Sequence, residues 1–528
     1  MGRDKKKSGL KAVRKKRRKE ITRGIVYSQL FWYLILIAIQ LTLFFLFTLK
    51  FRKYTDEYLG GSIALSFFFF IYLTNTKGKN EYKLAWLLPF IIFPWFGLFA
   101  YFIYHANSGG HFFKKSVLKV KKDTQHFVPS KQETQNLIEK YSDEKLICNY
   151  LINAGNYYPY EKNKISYLKN GEIYYPTLLE ELEKAQKFIF IEYFIICKDE
   201  AWEGVEKILL EKAKQGVEIR VLYDGFGSLG FASKRYKKEL EANGIKLRPF
   251  LKLIPFFDTK LNNRDHRKIV VIDGKVCFTG GINLSNEYFN IGKNRFPYWK
   301  DNGVLLKGQA VNAFTTMFLQ NWAIAQNIES EDYSKYINNE YEQFDDKGLT
   351  IPYADDAYND MDIAEDLYIH MITFAQNYIH ITSPYLVIDN QMTENLIFAC
   401  NTGKEVCLVL PSKPDHFLTF CIGRSYIKDL MKSGVRIYLY NKGFIHQKTL
   451  IADGRVASVG SVNFDYRSFY HHFECGVYMT DNLVINEIEK DFQEILQDCT
   501  LVDEKVYKKI PKIQLLIGRI FRIFAPLM

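Results

Sequence analysis

Hydrophobic residues are spread unevenly along the chain. Phe31–Leu49 is nineteen residues long and almost wholly apolar, with Gln40 and Thr42 inside it. A helix needs about 20 such residues to cross a hydrocarbon core, so this run predicts a transmembrane helix. Leu84–Tyr104 is also long enough, with Pro89 and Pro94 expected to kink it. Ile63–Leu73 is apolar but short: a third crossing, a re-entrant piece or an interfacial helix. From about residue 140 the pattern changes. Helical stretches alternate with β-rich runs such as Phe188–Phe194 and Glu218–Tyr223, which predicts an α/β body. Near the end, Ile513, Leu516, Ile520 and Phe524 interleave with Lys512, Arg519 and Arg522. That spacing fits an amphipathic helix, lying either on a membrane surface or on the body's own core.

Charge orients this layout. The 528 residues carry a net charge of +12, but residues 1–24 hold twelve Lys/Arg against Asp4 and Glu20, leaving only +2 for the rest. A near-neutral body argues against nucleic-acid binding. The basic arm beside an apolar segment points instead to an anionic membrane surface. Lysines at 114, 115, 119, 121 and 122 follow the apolar region. Both basic flanks favour the cytoplasm, so the reading is a multi-pass membrane protein with two crossings and a cytoplasmic body; three crossings would put the body outside. The eight cysteines form no CxxC pair and read as reduced core residues. The layout expected is an arm (1–28), a transmembrane region (29–106), a linker (107–139), two halves (140–335 and 336–505) and a terminal amphipathic helix (506–528).

The halves are delimited by an internal repeat. HRKIVVIDGKVCFTGGIN begins at His266 and HQKTLIADGRVASVGSVN at His446. His266, Lys268, Asp273, Gly274, Gly280 and Asn283 match His446, Lys448, Asp453, Gly454, Gly460 and Asn463 at equal offsets. The Asp-Gly pairs between apolar runs predict hairpins with tight primed turns. On each leading strand His and Lys, two residues apart, share a face. Two His, two Lys and two Asn brought together suit a phosphodiester. Lysines and asparagines hold its oxygens, one imidazole attacks phosphorus, and the other moves protons. Neither a metal nor a cofactor is needed. A lone histidine on a strand is usually structural, and Asp273 and Asp453 are residues a turn would choose anyway. A His-x-Lys couple embedded twice in apolar sequence is harder to explain that way.

HxKxxxxD twice resembles the phospholipase D superfamily, and the flanks LNNRDHRKIVVIDG, TGGINLSNEY, YWKD, FLQNW, ITSPY and GSVNFDYRSFYHHFE resemble bacterial cardiolipin synthases. The resemblance implies two pseudo-symmetric phospholipase D-like halves forming one catalytic body behind N-terminal transmembrane helices. It implies phosphatidyl transfer between two phosphatidylglycerols, giving cardiolipin and glycerol through a phosphohistidine. By that resemblance His266 is the nucleophile and His446 the acid/base. Acids orienting the imidazoles are sought in Glu474, Glu287 and Asp301, and phosphate-side hydroxyls in Ser461 and Ser468. Arg264 and Arg467 either hold a lipid headgroup or pair with nearby acids. The chain departs from the family pattern at His471-His472, after Tyr385, and at Lys404-Glu405-Val406, which leaves the acceptor open. A hydrolysing phospholipase D, or transfer to another alcohol, would use the same residues. A nuclease is opposed by the near-neutral body and the apolar segments, and a non-enzymatic scaffold by two intact motifs. Oligomeric state is not readable.

Overall fold

The computed structural model describes residues 54–105, 108–124, 127–251, 262–326 and 332–527, with short pieces between 38 and 50. The expected span Phe31–Leu49 lies largely outside the described residues. The described residues form two compact units, one ending near residue 111 and the other holding nearly all of the remainder.

In the first unit, helices Thr55–Asn75, Asn80–Ile92 and Pro94–His105 pack through aromatic rings. Phe69 stacks on Phe90 at 4.0 Å between centroids, and Ser66 donates to the Phe90 carbonyl at 2.7 Å. Gly97 permits close approach: a Cβ there would lie 3.0 Å from Phe90 Cα. Leu84–Tyr104 is therefore not one crossing helix. The break falls at Phe93 (φ −137°, ψ 72°), because Pro94 lacks an N–H and disfavours helical geometry in the residue before it. Among the described residues no helix is long and apolar enough to cross a membrane. Residues 107–139, expected as a linker, hold helices Ser108–Asp123 and Lys131–Lys140, the latter closed by a Ser130–Glu133 capping box.

The second unit contains two matching sheets. The first-half strands are β1 (Lys164–Leu168), β2 (Phe188–Tyr193), β3 (Glu218–Asp224), β4 (Ile245–Phe250), β5 (Lys268–Ile272), β6 (Val276–Gly280), β7 (Trp299–Lys300) and β8 (Gly303–Lys307). The second half supplies β9 (Thr350–Asp355), β10 (Tyr378–Thr382), β11 (Leu386–Val387), β12 (Glu405–Pro411), β13 (Arg436–Tyr440), β14 (Phe444–Ile445), β15 (Thr449–Ala452), β16 (Val456–Gly460), β17 (Phe464–Asp465), β18 (Glu474–Thr480) and β19 (Cys499–Leu501). One sheet runs β1-β8-β6-β5-β2-β3-β4. The other runs β9-β18-β16-β15-β10-β12-β13-β19, the same order with one strand added. In each, the motif strand (β5 or β15) is antiparallel to its neighbours, while β2-β3-β4 and β10-β12-β13 are parallel.

Both faces of each sheet are covered, which explains why the motif strands read as continuous apolar runs. Ile269 and Val271 face a core that also takes Ile451, Ala457 and Val459 from the other half. Val270 and Ile272 face the first half's own helices, and Leu450 and Ala452 face the second half's. Helix Val311–Gln326 lies in the shared core through Phe314, Phe318 and Trp322. The two halves therefore form one body. Near the end of the chain, helix Lys512–Arg522 packs on helix Phe417–Lys432, close enough that a Cβ on Gly518 would strike the Cys421 carbonyl. Its other side leaves Ile513, Leu516 and Ile520 exposed.

Candidate active site

The two motifs meet because short parallel pairings stitch the halves together. β14 pairs with β7, and the His446 amide donates to the Lys300 carbonyl at 2.7 Å. Likewise Asp265 bridges to Phe473, and the His266 amide donates to the Phe473 carbonyl at 2.9 Å. Each histidine thus sits one residue from an acid of the opposite half. His446 Nδ1 lies 2.7 Å from Asp301 Oδ2. His266 Nδ1 lies 2.9 and 3.0 Å from the two oxygens of Glu474. The acids are exchanged between the halves. Both imidazoles open on one cavity of about 710 Å³.

Glu474 is fully buried and further held by the hydroxyls of Ser461 and Ser468, the latter at 2.8 Å. Asn283 accepts from the Ile195 amide at 3.0 Å, which leaves its Nδ2 unpaired beside the cavity. Asn463 lines the same cavity with its Oδ1 unpaired. Lys268 and Lys448 are buried, and each ammonium reaches the carbonyl of its own motif histidine. Lys448 Nζ also lies 2.6 Å from His446 Nδ1.

Two family-model matches and two relatives place this geometry. The family described as "Cardiolipin synthase, PLD-like domain" matches residues 178–331 and 368–496. "Phospholipase_D-nuclease N-terminal" matches residues 64–104. A cardiolipin synthase of Geobacillus sp. (strain WCH70) is 32% identical over 93% of this chain and 99% of its own. The probable cardiolipin synthase YwiE of Bacillus subtilis (strain 168) is 34% identical over 84% of this chain and 88% of its own. The chain belongs to the cardiolipin synthase family. Its fold is shared with the solved phosphatidylserine synthase of Haemophilus influenzae Rd KW20 (TM-score 0.55, 14% identity, 69% of this chain and 95% of that one).

Burial controls the electrostatics of the site. It lowers His266 to about 4 against the opposing pull of Glu474, and His446 well below its ordinary value. Both rings are therefore neutral near pH 7, and with Nδ1–H given to a carboxylate, Nε2 carries a free lone pair. Burial also lowers Lys268 to about 8 and Lys448 to about 7. It raises Asp301 to about 6 despite Lys448. Glu474 remains below its usual range, because the adjacent His266 and His472 imidazoles outweigh its burial.

Not every expected residue arrives. Asp273 and Asp453, grouped with the catalytic set, sit just past the far ends of β5 and β15, seven residues beyond the motif histidines, about 23 Å of extended chain. Their carboxylates accept from the amides of Gln186, Lys187 and Phe188, and of Gln376, Asn377 and Tyr378. Both have φ 55°, the left-handed geometry of the primed turn. Each therefore fixes the start of β2 or β10 against the hairpin. Asp273→Ala should cost about 2 kcal/mol of stability, with Asp273→Asn milder. Chemical denaturation checks the loss, and activity per folded molecule should stay near wild type.

Glu287 lines the cavity with one carboxyl oxygen unpaired, and hydrogen-bonds neither imidazole. Arg264 turns to the Leu251 carbonyl and Asp224, whereas Arg467 is exposed and lines the cavity. Asp224, in the YDGFGS run, caps its own loop through the Phe226 and Gly227 amides. Sequence reasoning missed Arg295, Asp415 and His416 on the cavity wall. Asp415 accepts from Tyr385 Oη at 2.5 Å. The available signal was position: the run SKPDH directly follows β12, at the strand end where α/β folds place ligand loops.

Proposed function

We propose that the protein is a phosphatidyltransferase joining two phosphatidylglycerol molecules into cardiolipin, with release of glycerol. The carrying observation is the pair of buried imidazoles on one cavity, each held by a carboxylate from the opposite half. His266 Nε2 attacks phosphorus, forming a P–N bond as the P–O bond to glycerol breaks. His446 delivers a proton to that oxygen; the entering phosphate anion favours its imidazolium, which Asp301 stabilises. His446 then removes the proton from the terminal hydroxyl of a second phosphatidylglycerol. That oxygen attacks, the P–N bond breaks, and His266 is regenerated. Lys268, Lys448 and the amide of Asn283 hold the non-bridging oxygens where charge develops. Asn463 and Glu287 line the lipid headgroup space.

The test uses full-length protein in detergent with phosphatidylglycerol as the sole lipid. Wild type should give cardiolipin and glycerol in equal amounts, and His266→Ala neither. Phosphatidic acid as the product would instead make water the acceptor and the protein a hydrolysing phospholipase D.

The pH dependence of kcat/KM, which reports the free enzyme, should fall on its alkaline side between about 7 and 8. Over that range Lys448 and Lys268 lose their protons, and with them the charge that holds an anionic donor. On the acid side, the rate should fall first as Asp301 takes up a proton near 6 and again at protonation of His266 near 4. Initial rates at low substrate across pH 4–9 check both limbs.

Membrane attachment belongs to the same reading. Phe31–Leu49 is a span, the body faces the cytoplasm, and the exposed apolar side of helix Lys512–Arg522 meets the lipid surface. The arm, with twelve basic residues in 1–24, draws the protein to anionic lipid. Deleting residues 1–24 should weaken binding to phosphatidylglycerol vesicles and leave binding to zwitterionic ones unchanged, as read by flotation.

A further inference from the structure

Two cavity-lining imidazoles, His416 and His472, take no part in the reaction above, and His472 is the buried one. His472 follows the short helix Tyr466–Tyr470, and its amide donates to the Arg467 carbonyl at 2.8 Å. The ring is buried, at 7% exposure, and lines the same cavity as His266. Its centroid is 5.3 Å from that of His266. Its Nδ1 has no hydrogen-bond partner among the described residues and lies 3.5 Å from Glu474 Oε1. A buried polar atom without a partner needs a physical account.

The surroundings of that nitrogen supply one. A donor atom from each of His266, His472 and Glu474 lies within 4.8 Å of the other two. Two edges of this triangle, 2.9 Å from His266 Nδ1 to Glu474 and 3.5 Å from Glu474 to His472 Nδ1, bracket the edge of about 3.3 Å set by tetrahedral zinc bonds of about 2.0–2.1 Å, and the third is within 4.8 Å. Ser461 and Ser468 already hold the carboxylate from behind, the kind of outer support that ligating carboxylates receive. Both histidines open on the cavity, which gives an ion a path in and leaves room for a fourth ligand. Two imidazoles and one carboxylate suit zinc or cobalt far better than magnesium or calcium.

We propose that His266, His472 and Glu474 form a binding site for a divalent cation of the zinc type, and that the bound ion blocks phosphatidyl transfer by engaging the imidazole of His266. The chemistry balances either way the ring binds. An ion on Nδ1 displaces that nitrogen's proton, and the ring stays neutral by taking up a proton at Nε2, with no net proton released; Nε2 then has no lone pair for phosphorus. An ion on Nε2 takes that lone pair directly. Binding therefore competes with attack and with protons at the same ring.

Binding stands on geometry alone, whereas inhibition rests on the proposed role of His266. The experiment reads them separately. Full-length protein in detergent, stripped by chelator, is titrated with Co²⁺ and followed by its visible ligand-field absorption. Zn²⁺ is then used to displace the cobalt, and transfer from phosphatidylglycerol is measured at each Zn²⁺ level. Wild type should bind one ion per chain in a four- or five-coordinate environment, with transfer falling as the site fills. His472→Asn should weaken Co²⁺ and Zn²⁺ binding at least tenfold. Its activity, relative to its own metal-free rate, should resist the Zn²⁺ level that halves wild type. His472→Cys, which restores a ligand, should recover binding. Unchanged affinity in His472→Asn, or only six-coordinate cobalt, overturns the site. Stoichiometric binding with undiminished transfer overturns the inhibition and, with it, the role given to His266. A protein that binds the ion as expected but turns over no phosphatidylglycerol even when stripped leaves the site standing and overturns the proposed substrate instead.

Discussion

With an activated donor, phosphatidyl-p-nitrophenol, the His446→Asn variant should release one nitrophenolate per active site in a burst and then stall. His266→Asn should give no burst and lose at least about 10⁴-fold in rate. Nitrophenolate leaves without a proton, so the first displacement does not need His446. The second displacement does, because the acceptor hydroxyl must lose its proton to attack the phosphoenzyme. Protein quenched during the stall should carry one phosphorus per chain, stable in alkali and labile in acid, as a phosphoramidate is. The surroundings favour this division of labour. Glu474 stays ionised against His266 Nδ1, keeping Nε2 of that ring unprotonated. His446 instead has both Asp301 and Lys448 at Nδ1; burial and the lysine hold its imidazolium back until an arriving phosphate draws that ammonium away. A burst from His266→Asn and none from His446→Asn would exchange the two roles. Asparagine is chosen in both cases because it fills much of the ring's volume and limits collapse of a buried site.

Much of this arrangement was legible before any coordinates. Matching offsets from His266 and His446 place two His-x-Lys couples on equivalent strands, and Asp-Gly predicts the turn that φ 55° at Asp273 and Asp453 confirms. The pairing of acids was not legible. Asp301 lies nearer in sequence to His266, and Glu474 to His446, so local reasoning alone would join each acid to the wrong ring. The exchange follows from two interactions between the halves, β7 with β14 and Asp265 with Phe473, and such long-range pairing leaves no periodic signal. The motif aspartates mislead for a related reason. A carboxylate that fixes three amides at a hairpin and one that orients an imidazole occupy the same place in a sequence pattern. The apolar run at Leu84–Tyr104 has sufficient length, but length does not register that Pro94 sets Phe93 outside helical geometry.

The two orienting acids should respond oppositely when neutralised. Asp301→Asn is expected to lower kcat by about 10²–10⁴-fold with KM little changed, since the amide still accepts from Nδ1 but no longer stabilises an imidazolium. The amide loses the acceptor for the Asn302 N–H, about 1–3 kcal/mol, but removal of a buried charge offsets that cost. Burial raises the Asp301 pKa to about 6, above the about 3.9 of an unfolded chain. The folded state therefore holds that proton more tightly, and ionisation weakens folding progressively as pH rises from about 4 to 6. Above that range the cost is fully present, about 3 kcal/mol as an order of magnitude. The substituted amide cannot ionise, so the variant should melt at or above the wild-type temperature at pH 7.5, and the difference should shrink as pH falls below 6. Glu474→Gln should lose activity to a similar degree and also melt lower. Glu474 is held below its ordinary pKa by His266 and His472, so its contribution to stability is present above the unfolded carboxylate pKa and is lost as pH falls. An amide also puts an N–H donor where Ser461, Ser468 or His266 already donates, and that clash cannot be relieved by rotating the group. Melting curves at pH 5.5 and 7.5, set beside kcat for the same preparations, separate the two. A lower melting temperature for Asp301→Asn at pH 7.5 would mean that the buried Asp301 charge supports the fold as well as the reaction.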